Sequence, residues 1–309
     1  MQREQGKDDS LTIVFVHRGN PFYLKYAIGQ AVHTQGGSRV VLLGDEANKG
    51  LGLCEWYPLE DFGERACDFA RRYKHLSPND YDFELFCIQR WLYLSEFVAK
   101  AGIGGNICYL DSDALVYFPL RERFAEQQFG IALTRGIGPA FTLIRNASVL
   151  YRLADFIEAA YEPGEMLETL KYIYATGDSP FWLKSGYVSD MQLLGFFALA
   201  EGGAVDLESP WNGWVYDYGF GERTDYRHNP YKNIKWLGRD IKGYYGLKNG
   251  ERHYFAGIHF QVGAKIFMPQ YYTGRAKFGD RYYYKYIKWR GRATTAAKWV
   301  LRKLGLFHT

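Results

Sequence analysis

The sequence predicts an α/β fold with a mixed, mostly parallel sheet flanked by helices, and two observations support this. The chain opens with a short apolar, β-branched run, a segment of helical spacing and a second apolar run, which is the order of a β-α-β unit. Further on, a long helical pattern over residues 84–100 leads directly into another buried-strand pattern. Helices and strands that alternate in this way are typical of an α/β domain.

Each element follows from a local pattern. Residues 11–17 and 39–43 predict the first two strands because both are apolar and bounded by polar residues. The helix between them, over 22–34, ends before Gly36-Gly37. The helix over 84–100 has a broad apolar face. Strands are also predicted over 55–59, 107–110, 131–134, 140–144 and 254–258, and helices over 147–160 and 190–200.

The last third of the chain differs from the rest in composition and charge. Beyond residue 201 it is rich in Gly, Tyr, Trp and Asn with weak periodicity, which predicts an irregular C-terminal third. Residues 281–309 contain eight Lys and Arg and no Asp or Glu, so the remainder carries a net charge of −4. We therefore divide the chain into a main domain, 1–280, and a basic aromatic tail, 281–309.

The tail predicts contact with an anionic partner. A helix over residues 292–304 would be amphipathic and basic, which suits an anionic membrane surface; the alternative is a helix packed on the domain with a solvated basic face. The acidic body and the lack of a nucleic-acid motif argue against a nucleic-acid partner. With no signal peptide and no transmembrane run in the sequence, we expect a cytoplasmic protein, peripheral on the inner face of the cytoplasmic membrane.

Two closely spaced carboxylates end the strand pattern at residues 107–110. Asp111 and Asp113 flank Ser112, and an apolar run resumes after them. Residues i and i+2 of an extended segment point to the same side, so both carboxylates can face one cavity. Clustered carboxylates need a neutralising partner, and a hard divalent cation with oxygen ligands meets that need. The alternative is a plain turn, because Asp and Ser favour turns.

Residues 109–116, Tyr-Leu-Asp-Ser-Asp-Ala-Leu-Val, resemble the Y-L-D-x-D-x-L-V motif of GT-A nucleotide-sugar glycosyltransferases. The resemblance is to glycosyltransferase family 8, the glycogenin and lipopolysaccharide-galactosyltransferase group, and to its bacterial relatives, and it covers about residues 11–270. It implies a GT-A fold in which Asp111 and Asp113 bind Mn²⁺ or Mg²⁺. In that family the ion bridges the diphosphate of a nucleotide-sugar donor, here expected to be a UDP-sugar, and Ser112 lies at the same site.

Two further segments match the same family. Arg90, on the helix before this strand, resembles an Arg that contacts the donor diphosphate in the family; the alternative is an Arg exposed on a core helix. Residues 189–194, Ser-Asp-Met-Gln-Leu-Leu, are similar to G-D-Q-x-L-L and align Asp190 with the functional Asp. Met191 replaces the Gln of the motif, which leaves Asp190 as a candidate general base and favours an inverting reaction over a retaining one. Asp190 or Ser189 is equally suited to cap a helix.

Residues 259–265, His-Phe-Gln-Val-Gly-Ala-Lys, resemble the H-x-x-G-x-x-K motif of the family. The resemblance implies that His259 is the third metal ligand and that Lys265 contacts the diphosphate. Gly263 stands one residue later than the glycine of the motif. The alternative for His259 is a core histidine without a ligand role.

The remaining candidate residues rest on position alone. His17 and Asp45 close the first two predicted strands, where the base or ribose of a nucleotide is expected to lie; a loop His and a turn Asp are the alternatives. For the acceptor, the irregular third offers the candidates Trp211, Asn212, Trp214 and Asp217.

Together these observations predict a metal-dependent hexosyltransferase of bacterial surface-polysaccharide synthesis that acts on a saccharide or lipid-linked acceptor. One rival is a haloacid-dehalogenase-like phosphatase, whose Asp-x-Asp belongs to its first strand rather than to about the fourth. The other is a non-catalytic binding protein that acts through the basic tail.

Overall fold

The computed structural model describes residues 10–183, 186–221, 235–236, 244–248 and 251–274. The predicted tail helix and the boundary at residue 281 lie outside these residues. The strands are β1 Leu11–Val16, β2 Arg39–Gly44, β3 Glu55–Pro58, β4 Asn106–Leu110, β5 Ala114–Val116, β6 Ile131–Thr134, β7 Gly138–Ile144, β8 Val205–Asp206, β9 Trp214–Asp217, β10 Lys235–Trp236, β11 Tyr244–Lys248 and β12 Glu251–His259. The helices are α1 Leu24–Thr34, α2 Glu64–Arg72, α3 Tyr81–Lys100, α4 Leu120–Glu126, α5 Ala147–Ala160, α6 Glu165–Thr176, α7 Asp190–Ala200 and α8 Met268–Tyr271.

The main sheet is mixed and mostly parallel, as predicted. Its seven strands lie in the order β3-β2-β1-β4-β7-β6-β8. β3, β2, β1 and β4 run parallel to one another, and β7 pairs antiparallel with both β4 and β6. This order places β1 and β4, the two strands that precede His17 and Asp111, side by side at the centre of the sheet.

Both faces of β1 are covered, which explains its continuous apolar sequence. Val14 and Val16 join one core cluster, which includes residues of α3 and α5. Ile13 and Phe15 point the other way and join a second cluster, which includes residues of α1. Because side chains alternate along a strand, a strand buried between two helical layers needs apolar residues at every position.

The long helix α3 starts three residues earlier than its apolar pattern predicts. Asp80 caps it, since its side chain accepts a hydrogen bond of 3.0 Å from the backbone N–H of Phe83. This cap satisfies one of the N–H groups that lack a partner in the first turn of a helix. From residue 84 to 98 most of the helix is buried, including the charged Glu84 and Arg90. Polar residues buried in this way need partners, and those of Arg90 lie in the candidate site.

The described parts of the C-terminal third contain a second sheet that the composition does not predict. β10, β11, β12 and β5 form a second sheet, in which β9 also pairs with β12. β12 is nine residues long and antiparallel to β5, which directly follows the Asp-Ser-Asp turn. The predicted strand over 254–258 lies within β12. The rest of this sheet is not predicted, because the Gly- and Tyr-rich sequence hides the period of two and β5, which pairs with β12, lies far away in the chain.

The helices α2, α4, α6 and α8 are also absent from the sequence prediction. α2 buries only Ala66 and Phe69 and α6 only three residues, so their apolar stripes are too narrow to stand out. Within the part of the chain that the structure describes, no helix is both long enough and apolar enough to cross a membrane.

Candidate active site

A cavity of about 710 Å³ opens at the carboxyl ends of β1 and β4. Ligands of open α/β sheets bind at this edge. The cavity is bounded by the residues that follow β1, by one face of α3, by the Asp-Ser-Asp turn, by the start of α7 and by the end of β12. Its lining includes His17, Arg18, Tyr23, Phe86, Arg90, Asp111, Ser112, Asp190, Met191, Tyr218, His259, Gln261 and Lys265.

Asp111, Asp113 and His259 converge at the edge of this cavity, whose lining includes Asp111 and His259. The register of β5 against β12 places His259 opposite Ala114, next to the turn that carries both carboxylates. His259 Nε2 lies 3.1 Å from Asp113 Oδ1 and 3.8 Å from Asp111 Oδ2. One ligand atom from each of the three residues falls within 4.8 Å of the others. Strand pairing thus joins two motifs that are distant in the sequence.

Each carboxylate is held by one oxygen and turns the other towards the imidazole. Asp111 Oδ1 accepts hydrogen bonds from Arg90 Nη1 at 2.8 Å and from the Tyr109 hydroxyl at 2.6 Å. Asp113 Oδ2 lies 3.1 Å from Lys265 Nζ. These outer contacts orient the carboxylates in the way that supporting residues orient metal ligands.

His259 is oriented by its other ring nitrogen. Nδ1 lies 2.7 Å from the backbone carbonyl oxygen of Tyr218, so it carries a proton and donates it to that oxygen. In the neutral ring this leaves the lone pair of Nε2 directed at the two carboxylates. A hydrogen bond from Nδ1–H to a backbone carbonyl is the usual arrangement for a metal-ligating histidine.

The charges of the cluster compensate one another in a buried setting. Burial alone would raise the pKa of Asp113, but His259 and Lys265 lower that pKa to about 2. Burial lowers the pKa of His259 and of Lys265, and the neighbouring Asp113 raises both above their ordinary values. Asp113 is therefore an anion at any working pH, which is the form that binds a cation.

The donor set fits a divalent cation. Two carboxylate oxygens and one imidazole nitrogen suit Mn²⁺ and Mg²⁺. Ligand atoms that bind at about 2.1 Å and at right angles lie about 3 Å apart. The 3.1 Å separation between Asp113 Oδ1 and His259 Nε2 matches this value. Asp111 Oδ2 lies somewhat further from the imidazole and is half-buried, within reach of the same centre.

Arg90 and Asp190 form a buried pair beside the metal cluster. Arg90 Nε donates to Asp190 Oδ2 at 3.1 Å, Nη2 donates to the same oxygen, and Trp91 Nε1 adds a third hydrogen bond of 3.1 Å. Because Arg90 also donates to Asp111, it links Asp190 to the cluster. Burial raises the pKa of Asp190, and Arg90 opposes that rise.

The structure distinguishes the cap of α7 from its first residue. Ser189 is the N-cap: its hydroxyl accepts from the backbone N–H of Met191 at 3.2 Å, and Gln192 completes a capping box. Gln192 Oε1 accepts from the backbone N–H of Ser189 at 3.1 Å, which keeps that side chain on the helix end. Asp190 therefore does not cap the helix, and its carboxylate pairs with Arg90 instead.

The two residues predicted to contact base or ribose lie in different settings. His17 lines the cavity, and burial lowers its pKa to about 4 although Asp113 opposes the shift, so its ring is neutral at pH 7. Asp45 does not line the cavity. Its two carboxylate oxygens accept hydrogen bonds from the backbone N–H groups of Gly19, at 2.7 Å, and Ala47, at 3.2 Å, which holds the loop after β1.

Sequence reasoning missed several residues of the site. Tyr109 and Tyr218 orient Asp111 and His259, and Arg18 stacks on Phe86 at 4.3 Å. Of these, only Tyr109 had a signal in the sequence, since it belongs to the Asp-x-Asp motif. The proposed acceptor residues do not line the cavity: Trp214 packs on Phe118 and Tyr254, and Trp211, Asn212 and Asp217 lie near it in the chain.

Similarity to known proteins is found only among solved structures. No protein-family model matches the chain, and no curated protein matches it. Glycosyltransferases are among the solved structures found similar.

Three of these structures show how the sequence identity, the coverage and the TM-score vary. The galactosyltransferase LgtC, in complex with donor and acceptor sugar analogues, is 17% identical with a TM-score of 0.37, covering 64% of this chain and 73% of LgtC. The apo glycosyltransferase GlyE of Streptococcus pneumoniae is 16% identical with a TM-score of 0.34, covering 64% of this chain but only 45% of GlyE. Mouse xyloside xylosyltransferase 1 in its apo form is 14% identical with a TM-score of 0.41, covering 62% and 82%.

Proposed function

We propose that this chain is a divalent-metal-dependent glycosyltransferase. It moves a hexose from a nucleoside-diphosphate sugar, a UDP-sugar, to a hydroxyl of a saccharide or lipid-linked glycan. The observation that carries the proposal is the convergence of Asp111, Asp113 and His259 at the carboxyl edge of the sheet, with each carboxylate oriented by a separate cationic side chain. This arrangement favours a site for a metal ion and an anionic ligand over the alternative that Asp-Ser-Asp is a plain turn.

The departure of a nucleoside diphosphate requires positive charge. A Mn²⁺ or Mg²⁺ ion held by Asp111, Asp113 and His259 would neutralise the diphosphate and stabilise it as a leaving group. Lys265, whose ammonium group is 3.1 Å from Asp113, is placed to donate to the same phosphates. Arg90 lines the cavity, but its guanidinium already donates to Asp190 and Asp111. We therefore propose that it contacts the diphosphate only through the edge of the guanidinium next to Asp111.

Asp190 is the proposed general base. It lines the cavity, and burial raises its pKa towards the range in which a carboxylate accepts a proton more readily. Arg90 and Trp91 bind its Oδ2 and fix the direction of the carboxylate. In an inverting reaction it would take the proton of the acceptor hydroxyl as that oxygen attacks from the face opposite the leaving group. Met191, in place of the Gln of the family motif, favours this outcome over retention.

The donor's nucleoside is proposed to lie along the ends of β1 and β2. His17 is neutral and faces the cavity, so its ring nitrogens can exchange hydrogen bonds with a base or ribose. Ser112 lines the same cavity between the two carboxylates. Asp45, which does not line the cavity, is proposed to contribute by holding the loop at Gly19 beside the nucleoside.

The biological setting is proposed from the sequence. The basic tail, residues 281–309, would hold the enzyme on the anionic inner face of the cytoplasmic membrane, where lipid-linked acceptors for bacterial surface polysaccharides are found. The phosphatase alternative is disfavoured, because the Asp-Ser-Asp turn follows β4, the fourth strand along the chain, rather than the first.

A donor screen tests the proposal. The purified full-length chain is incubated with a panel of nucleotide sugars in Mn²⁺, in Mg²⁺ or in a chelator, and binding and release of the nucleoside diphosphate are measured. We expect one donor to be bound and slowly hydrolysed only when a divalent ion is present. Asp113→Asn and His259→Gln should each reduce that hydrolysis by about 100-fold or more.

The matched control is Asp68→Asn. Asp68 is an exposed acidic residue that pairs with Arg71 on the surface of α2, so this variant should hydrolyse the donor like the wild type. If no nucleotide sugar binds in a metal-dependent way, or if Asp113→Asn retains full hydrolysis, the proposed function is wrong.

A further inference from the structure

Trp182 is exposed but held in a fixed orientation. The side chain is 40% exposed, whereas Trp is on average a strongly buried residue. Its Nε1 donates a hydrogen bond of 3.2 Å to the backbone carbonyl of Arg135. Its ring stands nearly perpendicular to that of Tyr218, at 86° and 5.0 Å between centroids. An indole that is both open to solvent and anchored at its polar edge presents a preformed apolar surface.

Arg135 locks this surface at a strained turn. Its guanidinium carbon lies 5.3 Å from the centre of the Trp182 ring and 4.5 Å from that of the Tyr218 ring. Its backbone has a φ of 51°, a left-handed conformation that residues with a Cβ rarely adopt. Asp206 accepts its backbone N–H at 2.7 Å and Glu208 its Nε at 2.5 Å, which holds the turn in place. Strain maintained by several partners is characteristic of functional sites.

Tyr218 connects this surface to the metal cluster. It lines the cavity, and its backbone carbonyl accepts the Nδ1–H of His259 at 2.7 Å. Its hydroxyl lies 3.9 Å from the sulfur of Met191 on the same wall as Asp190. On the other side it touches Trp182. One tyrosine ring therefore separates the proposed metal ligand from the exposed indole.

We infer that Trp182, held by Arg135 and Tyr218, is a stacking platform for a sugar ring of the acceptor, a neutral saccharide. The inference rests on the proposed function and names the substrate class of the same site. A pyranose ring has one face of C–H groups and a rim of hydroxyls, so it can lie on an indole and bond to polar groups at its edge. Arg135 and Glu208 neutralise each other, so the platform offers no net positive charge to a phosphate, and an uncharged polyol fits better than the nucleotide.

The test uses the full-length protein with three methyl glycosides as probes: methyl β-glucoside, methyl β-galactoside and methyl N-acetyl-β-glucosaminide. Saturation-transfer difference NMR is recorded with each glycoside alone for the wild type, Trp182→Ala, Trp182→Phe and Tyr172→Ala. Tyr172 is the matched control, because it is 56% exposed on α6 and forms no part of the platform. Circular dichroism and melting curves check that each variant is folded.

We expect the wild type and Tyr172→Ala to show saturation of the C–H protons on one sugar face. Trp182→Ala should lose that signal, and Trp182→Phe, which keeps an aromatic face, should retain part of it. In transfer assays with the donor found by the screen, Trp182→Ala should raise the acceptor KM by about tenfold, whereas Tyr172→Ala should leave the acceptor KM unchanged.

The inference fails if Trp182→Ala and the wild type give equal saturation and equal acceptor KM, or if no glycoside gives a signal with the wild type. These outcomes are separate from failure of the proposed function, which would appear as absent metal-dependent nucleotide-sugar binding. Loss of the glycoside signal in Trp182→Ala would still establish a saccharide site at this platform in a protein without transferase activity.

Discussion

Replacing Val262 by glycine is expected to stabilise the protein. Val262 occupies the position of the glycine in H-x-x-G-x-x-K, and the sequence places Gly263 one residue later. In the structure Val262 has a φ of 49°, whereas Gly263 is not among the described glycines with a positive φ. The backbone at position 262 therefore has the conformation that favours glycine, although a β-branched residue stands there.

The size of the effect follows from three contributions. A left-handed conformation costs a residue with a Cβ about 1–2 kcal/mol, and the substitution removes that cost. Glycine gives the unfolded chain more conformational freedom, and this destabilises the folded protein by about 0.4–1 kcal/mol. The Val262 side chain is 88% exposed, so its removal sacrifices almost no buried apolar surface. The net gain therefore lies between about 0 and 1.6 kcal/mol, and its midpoint of about 0.8 kcal/mol corresponds to a rise in melting temperature of about 2–3 °C.

Thermal and urea unfolding, followed by circular dichroism, measure this gain. Val262→Ala is one control, because alanine keeps the Cβ and should recover little of the strain. Gly263→Ala is the second, because residue 263 has no positive φ and alanine should be tolerated there. The reasoning is refuted if Val262→Gly leaves the melting temperature unchanged while Gly263→Ala lowers it, since the left-handed residue would then be Gly263.

Three further predictions concern the base, the second sheet and the tail. Asp190→Asn should abolish transfer while nucleotide binding persists, and a product with retained anomeric configuration, read by NMR, would exclude Asp190 as the base. In Gly257→Ala the new Cβ would lie 2.5 Å from the Phe141 ring, so urea unfolding should show a loss of about 1–3 kcal/mol together with weaker metal binding at His259; unchanged stability would contradict this packing. Deleting residues 281–309 should abolish binding to anionic vesicles, since each of the eight basic residues contributes about 1 kcal/mol, while transfer to a soluble acceptor persists; equal vesicle binding by both forms would disprove the membrane role.

The elements of the main sheet could be predicted because their signals are local. β1, β2, β4 and β6 coincide with apolar runs to within one residue at either end. The position of Asp111 at the end of β4 was predicted in the same way, because the apolar run of this strand stops at Leu110 and polar residues follow it. The helix α3 began earlier than predicted because Asp80 caps three residues that lie outside its apolar pattern.

Two residues of the site show where local reasoning stopped. Ser189 and Asp190 were both candidates to cap α7, because both side chains suit that position. The choice depends on what each side chain meets: Ser189 finds the N–H of Met191, whereas Asp190 finds Arg90 on a different helix. Trp182 carried no signal, because its exposure depends on Arg135 and Tyr218, which reach it only in the folded chain.

The sequence by itself determined the α/β class, the carboxylate pair at a strand end and, through the resemblance, His259 and Lys265 as their companions. Only the tertiary structure decided that His259 reaches Asp113, because β12 pairs with β5 in a register that places it opposite Ala114. It also decided that Arg90 joins Asp111 to Asp190, and that the backbone at Val262 is left-handed. The physical reason is that helix and strand patterns depend on neighbours along the chain, whereas distances between side chains depend on backbone pairing and burial among residues that the sequence keeps far apart.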